Sequence, residues 1–204
     1  MLPFAALLGA VFIFAIFALA IHRYDEEQGI PFAAVTCAIF AGLAFPLMFS
    51  CLLRLRMMPA IGMLQVFLPL AISFGSDTFA LFAGMLCGKH KLAPKVSPKK
   101  TVEGLIGGVL SSVIILQLVG LIFTYGIYGG ERQANWLSLL IIGFFGAFVS
   151  VLGDLSFSLI KRSCHIKDFG SVIPGHGGIL DRFDSVIFTA PFVYMVTMLL
   201  PIVS

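Results

Sequence analysis

The sequence has few charged residues and a single tryptophan. Asp, Glu, Lys and Arg together make up 11% of its 204 residues, whereas 59% of the residues are hydrophobic. A water-soluble domain of this length needs far more polar surface, because its exterior must face water. The low charge therefore excludes an ordinary soluble domain.

Two further absences narrow the class of protein. The four cysteines fall within or beside apolar runs and show no spacing typical of a metal site, so we interpret them as small packing residues. The first apolar run lacks a basic leading segment and a small-residue cleavage site before His22. It is predicted to be a retained helix rather than a signal peptide.

Long uncharged runs are what the sequence has instead. They cover 2–21, 30–53, 104–130, 133–153 and 185–204. Each is long enough to cross a hydrocarbon core of roughly 30 Å as a helix of about 20 residues. Continuous apolar runs also exclude a β-barrel, whose strands alternate.

The predicted fold is therefore an all-α, polytopic transmembrane helix bundle with about six spans. It forms one membrane domain, with N-terminal spans in 1–56 and a catalytic region in 57–204. The segment 57–88 is too long for one straight span and too short for two. Pro59, Pro69, Gly75 and Gly84 interrupt its apolar pattern, and Asp77 lies inside it. This pattern predicts a broken or re-entrant helix that lines a polar cavity.

Basic residues concentrate in two segments. Five of the thirteen lie in 89–100, and four more lie in the polar segment 158–184. The positive-inside rule places both segments in the cytoplasm. A hairpin of two predicted spans, 104–127 and 136–160, joins them and leaves both on one side of the membrane.

Four aspartates are candidates for a cation site. Asp181 and Asp184 are spaced i, i+3 and share a helix face, and Mg²⁺ prefers a few carboxylates together with phosphate oxygens and water. An acidic helix start at the positive end of the helix dipole is the alternative. Asp154 and Asp77 interrupt apolar spans at a cost of about 2.5–3.5 kcal/mol each, which is typical of residues that face a functional cavity. A buried ion pair with Lys or Arg is the alternative for these two.

A glycine-rich turn, PGHGG at 174–178, precedes the last span. Its backbone N–H groups could converge on an anion at the start of the next helix, and His176 could donate to a phosphate oxygen. A flexible loop is the alternative. Nearby cations favour phosphate; they are Lys161, Arg162, Lys167 and Arg182.

The other basic segment ends in SPKKT at 97–101. Ser97 followed by Pro98 is a typical N-cap and N1 pair, so we expect a helix to start there, with Lys99 and Lys100 in its first turn. Cations are unfavourable at that position unless an anion such as a triphosphate or a lipid phosphate lies nearby. The alternative is that these lysines serve only to set the orientation of the protein in the membrane. Glu103 is expected to pair with a lysine.

These motifs together resemble a known family. SLIKR at 158–162, KD at 167–168 and HGGILDRFD at 176–184 resemble the C-terminal signature of phosphatidate cytidylyltransferase, also called CDP-diacylglycerol synthase. SDT at 76–78, GKHKL at 88–92 and SPKKT with Glu103 and Gly104 match upstream family motifs in the same order. The resemblance covers the chain from about residue 69 onward, and family members are usually longer at the N-terminus.

The resemblance implies an integral membrane enzyme that joins CTP and phosphatidate to give CDP-diacylglycerol and pyrophosphate. Mg²⁺ would be held by Asp154, Asp181 and Asp184, with a second cation left open. The implied catalytic residues are Lys161, Arg162, His176, Asp181, Arg182 and Asp184. The implied substrate-binding residues are Asp77, Lys89, Lys95, Ser97, Lys99, Lys100, Lys167, Gly177 and Gly178.

The expected partners are CTP, phosphatidate and membrane lipids, with no nucleic acid, and a homodimer is left open. The expected location is a bacterial inner membrane, with the active site facing the cytoplasm. Three alternatives remain at this point. They are a CTP-dependent lipid kinase of the polyprenol or dolichol type, a membrane transporter, and a truncated, catalytically silent paralogue.

Overall fold

The fold is that of a computed structural model, which describes residues 2–24, 29–58, 61–170 and 178–203, with side chains from residue 7 onward. The chain divides into two compact units, Met1–Ser50 and Cys51–Ser204. The first contains α1 (Leu2–His22), α2 (Phe32–Ile39) and a π-helical turn (Phe40–Ala44). The next helix, α3 (Phe45–Arg56), begins in the first unit and ends in the second.

The second unit is a bundle of long helices with one small hairpin. Its further elements are α4 (Gly62–Cys87), β1 (Lys91–Ala93), β2 (Ser97–Thr101), α5 (Val102–Leu121), a π-helical turn (Ile122–Ile127), α6 (Trp136–Ser163) and α7 (Leu180–Leu199). The two strands pair antiparallel, with Lys91 opposite Thr101 and Ala93 opposite Ser97.

Helix length and composition confirm a polytopic helical membrane protein. Within the described residues, five helical stretches are long and apolar enough to cross a bilayer, and Leu7–His22 is a shorter apolar helix. The five are Phe32–Arg56, Gly62–Cys87, Val102–Ile127, Trp136–Ser163 and Leu180–Leu199. The hairpin of spans expected at 104–127 and 136–160 is among them.

The expectation of a broken helix in 57–88 is wrong. The helix α4 runs without interruption for 26 residues, or about 39 Å at 1.5 Å per residue, and Pro69 lies inside it. Pro69 is buried, and its carbonyl accepts a hydrogen bond of 3.4 Å from Thr189 Oγ1 of α7. This hydrogen bond places the proline turn of α4 against α7.

The helix expected to start at Ser97 starts later. Residues Ser97–Thr101 form β2 instead, and the N-cap is Thr101, whose Oγ1 accepts a hydrogen bond of 3.1 Å from the Gly104 N–H. Pro98 is tolerated because a strand of a two-stranded hairpin is always an edge strand. Lys99 and Lys100 therefore lie on a strand that precedes α5 and not in the first turn of the helix.

Small residues bring α4 and α5 close together. A Cβ on Gly104 would lie 2.7 Å from the Ala80 carbonyl oxygen, and one on Gly108 would lie 3.1 Å from the Ser76 carbonyl oxygen. Close backbone approach at small residues is how membrane helices gain packing energy without a hydrophobic effect. The same contact fixes the start of α5, and the hairpin attached to it, against the end of α4.

The packing of α6 against α7 also depends on a glycine. A Cβ on Gly153 would lie 3.1 Å from the Asp184 carbonyl oxygen. Apolar side chains fill the bundle farther along, among them Leu68, Ile72 and Leu116. Hydroxyl groups add contacts between helices, with Ser73 Oγ 2.9 Å from Thr189 Oγ1 and Ser76 Oγ donating to Ser150 Oγ at 3.1 Å.

Removing the hydroxyl of Thr101 should destabilise the start of α5. We expect Thr101→Val to lower the free energy of unfolding by about 1 kcal/mol, the usual cost of losing an N-cap side chain. Thr101→Ser is the matched control, because it keeps the oxygen that accepts from Gly104. Thermal unfolding in detergent micelles measures both variants. Equal stability of the Val and Ser variants would contradict this account of the cap.

Candidate active site

A charged cavity of about 610 Å³ lies in the second unit. Its lining comes from α4, both strands of the hairpin, α5, α6 and α7. The charged residues of the lining are Asp77, Lys91, Lys99, Lys100, Asp154, Asp181 and Asp184. Residues far apart in the sequence thus meet in one place, beside the hairpin.

Asp154 on α6 forms an ion pair with Lys100 on β2. The Lys100 ammonium nitrogen is buried, and both side chains are mostly shielded from solvent. Ser158 Oγ donates a hydrogen bond of 3.4 Å to the other oxygen of Asp154. A buried ion pair was the alternative to a cation site at Asp154, and in this structure the pair is formed.

Asp181 is held by three donors. Lys161 Nζ lies 2.9 Å from its Oδ1, and the backbone N–H groups of Phe169 and Gly178 each donate to its Oδ2 at 2.9 Å. The Lys161 ammonium also lies 5.5 Å from the centre of the Phe169 ring. Asp181 therefore links the backbone at residue 169 to the backbone at residue 178.

Asp77 and Asp184 share one hydroxyl group. Ser185 Oγ lies 3.1 Å from Asp77 Oδ2 and 3.4 Å from Asp184 Oδ1, and the Ser185 N–H donates to Asp184 at 2.7 Å. The hydroxyl carries one hydrogen, so it donates to one carboxylate at a time. Among the described residues, neither Asp77 nor Asp184 has an ion-pair partner. As far as the chain is described, the cavity therefore contains two neighbouring carboxylates that form no ion pair.

The remaining predicted site residues lie outside the cavity lining, as far as the chain is described. Lys161 contacts the site through Asp181, and Gly178 does so through its N–H. His176 and Gly177 lie outside the described residues. The other predicted residues are mostly exposed, and they are Lys89, Lys95, Ser97, Arg162, Lys167 and Arg182.

One expected pairing is corrected by the structure. Glu103 was expected to pair with a lysine, but its Oε1 lies 2.6 Å from His90 Nδ1, and the His90 N–H also donates to the carboxylate at 3.2 Å. The hairpin brings residue 90 beside the start of α5, which makes the histidine the nearer partner.

The donor set suits a hard cation, but its side chains are not assembled around one point. Four carboxylates line the cavity, which is the ligand chemistry that Mg²⁺ prefers. Across the described part of the chain, no three His, Cys, Asp or Glu side chains are grouped closely enough to hold a metal ion. Lysines hold Asp154 and Asp181 instead. The chemistry of the acids fits the ion, and Asp154 and Asp181 would have to leave their lysines to reach it.

Comparison with known proteins identifies the family. The sequence profile of the cytidylyltransferase family matches residues 2–200. The chain belongs to this family. Similar proteins include the phosphatidate cytidylyltransferase of Bacillus subtilis, 32% identical over 182 residues, or 89% of this chain and 65% of that protein. The phosphatidate cytidylyltransferase of Rickettsia bellii is 37% identical over 177 residues, or 87% of this chain and 76% of that protein.

A third relative, the phosphatidate cytidylyltransferase of Rickettsia prowazekii, is 38% identical over 178 residues, or 86% of this chain and 76% of that protein. The matched part of the chain thus spans about two thirds to three quarters of these three relatives. Membership of the cytidylyltransferase family places the chain among the nucleotidyltransferase enzymes.

Three residues of the site were not predicted from the sequence. Lys91 lines the cavity from β1. It lies within the GKHKL motif, and that motif could have indicated it as a site residue. Thr101 caps α5 from a strand that the local pattern did not indicate. Ser185 contacts Asp77, which lies 108 positions earlier in the chain, and no local pattern in the sequence could indicate such a contact.

Removing the Ser185 hydroxyl should destabilise the protein. Ser185→Ala leaves two buried or half-buried carboxylates without their shared donor, so we expect the free energy of unfolding to fall by about 1–3 kcal/mol. The control is Ser156→Ala, because the hydrogen bond of Ser156 Oγ within the described residues is to the Leu152 carbonyl of its own helix, at 2.7 Å. Thermal unfolding in micelles compares the two. A larger loss for Ser156→Ala than for Ser185→Ala would contradict the assignment.

Proposed function

We propose that the chain transfers the cytidylyl group of CTP to phosphatidate, giving CDP-diacylglycerol and pyrophosphate in phospholipid synthesis. The observation that carries the proposal is the cavity itself, in which four carboxylates and three lysines face one another within a bundle of apolar helices. The three relatives compared above are each named phosphatidate cytidylyltransferase. Lysines that bind two anionic substrates and carboxylates that bind a divalent cation would explain why the cavity contains both positive and negative side chains.

The reaction is a substitution at phosphorus. An oxygen of the phosphatidate phosphate attacks the α-phosphorus of CTP and forms a new phosphoanhydride bond. The bond from the α-phosphorus to the oxygen bridging the α- and β-phosphates breaks, and pyrophosphate leaves with that electron pair. The nucleophile is already anionic at neutral pH, so no general base is required. Positioning and charge neutralisation supply most of the catalysis in such reactions.

The lysines of the hairpin are the proposed phosphate ligands. Lys91, Lys99 and Lys100 line the cavity from two adjacent strands, and cations on a short, paired hairpin can face a triphosphate together. Lys161 lies near the end of α6 and contacts Asp181, which lines the cavity. Arg162, Lys167 and Arg182 add positive charge near that end, in keeping with the roles that the family resemblance implies.

Asp154, Asp181 and Asp184 are the proposed holders of Mg²⁺. When bound, the ion would neutralise phosphate charge and help to keep the two anionic substrates together. Asp184 has no ion-pair partner among the described side chains. Asp154 and Asp181 would exchange their lysines for the ion, and Lys100 and Lys161 would then be released toward the phosphates. Asp77 remains a further acidic group of the same cavity.

The membrane location explains how a lipid substrate reaches the site. Its acyl chains can stay in the bilayer while its phosphate enters the cavity between the helices. The basic hairpin and the basic end of α6 belong to the two segments that the positive-inside rule assigns to the cytoplasm. We propose that the cavity opens toward the cytoplasm of a bacterial inner membrane, where CTP is available.

One product assay tests the proposed reaction. Purified protein in mixed micelles is incubated with CTP, Mg²⁺ and dioleoyl phosphatidate, and pyrophosphate and CDP-lipid are followed. We expect both products in equal amounts. Formation of CDP without pyrophosphate would indicate a lipid kinase instead. Absence of all three products in a folded preparation would refute nucleotide transfer by this chain.

The metal ligands are tested by charge removal with little change in size. Asp154→Asn, Asp181→Asn and Asp184→Asn should each reduce kcat by about a hundredfold or more, the typical loss when one electrostatic stabiliser is removed. Asp168→Asn is the control, because Asp168 is exposed and lies outside the cavity lining. It should keep activity within about threefold, or roughly 0.6 kcal/mol. Near-normal Mg²⁺-dependent activity in any of the first three variants would remove that residue from the metal site.

A further inference from the structure

A second, apolar cavity lies between α4 and α5. This groove has a volume of about 800 Å³, and its lining includes the side chains of Phe67, Phe74, Ile115 and Val119. Thr78 is its one hydroxyl-bearing residue, and that hydroxyl already donates to the Phe74 carbonyl at 2.7 Å. The described lining of the groove therefore offers no unsatisfied side-chain polar group, so the groove suits an apolar occupant.

The groove and the charged cavity follow one face of α4. Phe74 and Thr78 line the groove, and Leu81 and Met85 line the charged cavity. These four residues are three or four positions apart in succession, so they form one stripe along the helix. The apolar surface thus leads directly into the charged one.

The helix α5 repeats this arrangement. Gly104 lines the charged cavity and Ile115 lines the groove. The two residues are eleven positions apart, which is about three helical turns, so they share a face of α5. Between these two positions α5 packs directly against α4, with Gly108 beside the Ser76 carbonyl. The exposed path from one cavity to the other therefore runs along the α4 stripe, where Phe74, Leu81 and Met85 are exposed.

The dimensions suit a lipid chain. The groove lining on α4 extends from Met63 to Phe79, a rise of about 24 Å. This length lies within a hydrocarbon core of roughly 30 Å. The rings of Phe67, Phe74 and Phe79 are about half exposed, so an apolar chain could cover them without displacing other side chains.

We propose that the groove between α4 and α5 binds an acyl chain of the lipid substrate while its phosphate lies in the charged cavity. The proposal rests on the proposed function, which supplies a substrate with a phosphate and acyl chains. The continuity of the two cavities favours this occupant over a second copy of the chain or bulk bilayer lipid. Binding of the chain here would orient the phosphate toward Lys99 and Lys100.

Filling the groove tests the proposal by kinetics. Ile115→Trp places a large ring in the groove, and Ile114→Trp, on the neighbouring exposed position outside it, is the matched control. We expect Ile115→Trp to raise KM for dioleoyl phosphatidate about tenfold, a change of roughly 1.4 kcal/mol, and to leave KM for dihexanoyl phosphatidate nearly unchanged. Val119→Phe is a smaller filling variant and should act in the same direction. Equal KM values for the Ile114 and Ile115 variants with both lipids would overturn the proposal.

Crosslinking tests the occupant without relying on turnover. A phosphatidate that has acyl chains of oleoyl length, with a photoreactive diazirine in one of them, should label peptides from α4 and α5. Phosphatidate without the diazirine should reduce this labelling by competition. Equal competition by phosphatidylcholine would show bulk lipid, and crosslinks between two copies of the chain at this face would show a dimer interface. Either result would overturn the acyl-chain assignment. A wild-type protein that forms no CDP-lipid would instead refute the proposed function, and specific labelling would then still locate a phosphatidate site.

Discussion

The structure of the second unit depends on the balance of charge inside an apolar bundle. Four aspartates and two lysines lie among helices that must otherwise exclude ions, because an isolated charge in a low-dielectric interior is very costly. Two of the aspartates are neutralised by lysines, Asp154 by Lys100 and Asp181 by Lys161. Asp77 and Asp184 share only the Ser185 hydroxyl. The negative charge that remains is the feature that most favours a cation in the working enzyme.

This balance requires close packing of the helices. Lys100 reaches α6 only because the hairpin is fixed against the start of α5, and that start is fixed by the contact between Gly104 and Ala80. Gly153 plays the corresponding part between α6 and α7, beside Asp184. A larger residue at either glycine would separate the helices and with them the charged groups. Small residues in the spans are therefore part of the site, although they contain no reactive atom.

Much of the fold could be predicted because the bilayer imposes simple requirements. Apolar length identified the helices, and the hairpin of α5 and α6 followed from the position of the basic segments. Intramembrane acids are rare, so Asp77 and Asp154 were recognisable as cavity residues, and both line the charged cavity. The chemistry of the reaction came from the resemblance, which the family comparison supports.

The errors in the sequence analysis have a common cause. The helix α4 continues through Pro69 at a position that is buried inside the bundle. The late start of α5 depends on the pairing of two short strands, whose residues show no strict alternation. Glu103 pairs with His90 because that same hairpin brings them together. Each outcome depends on tertiary contacts, which override the local preferences that a sequence displays.

The fate of the phosphate groups of CTP tests most directly whether the chain transfers the cytidylyl group to phosphatidate. Two parallel reactions with dioleoyl phosphatidate and Mg²⁺ would use CTP labelled with ³²P either in the α-phosphate or in the γ-phosphate. The account predicts that the α-label enters the lipid fraction and that the γ-label is released as pyrophosphate. Transfer of the γ-label to lipid, with the α-label remaining in CDP, would contradict it.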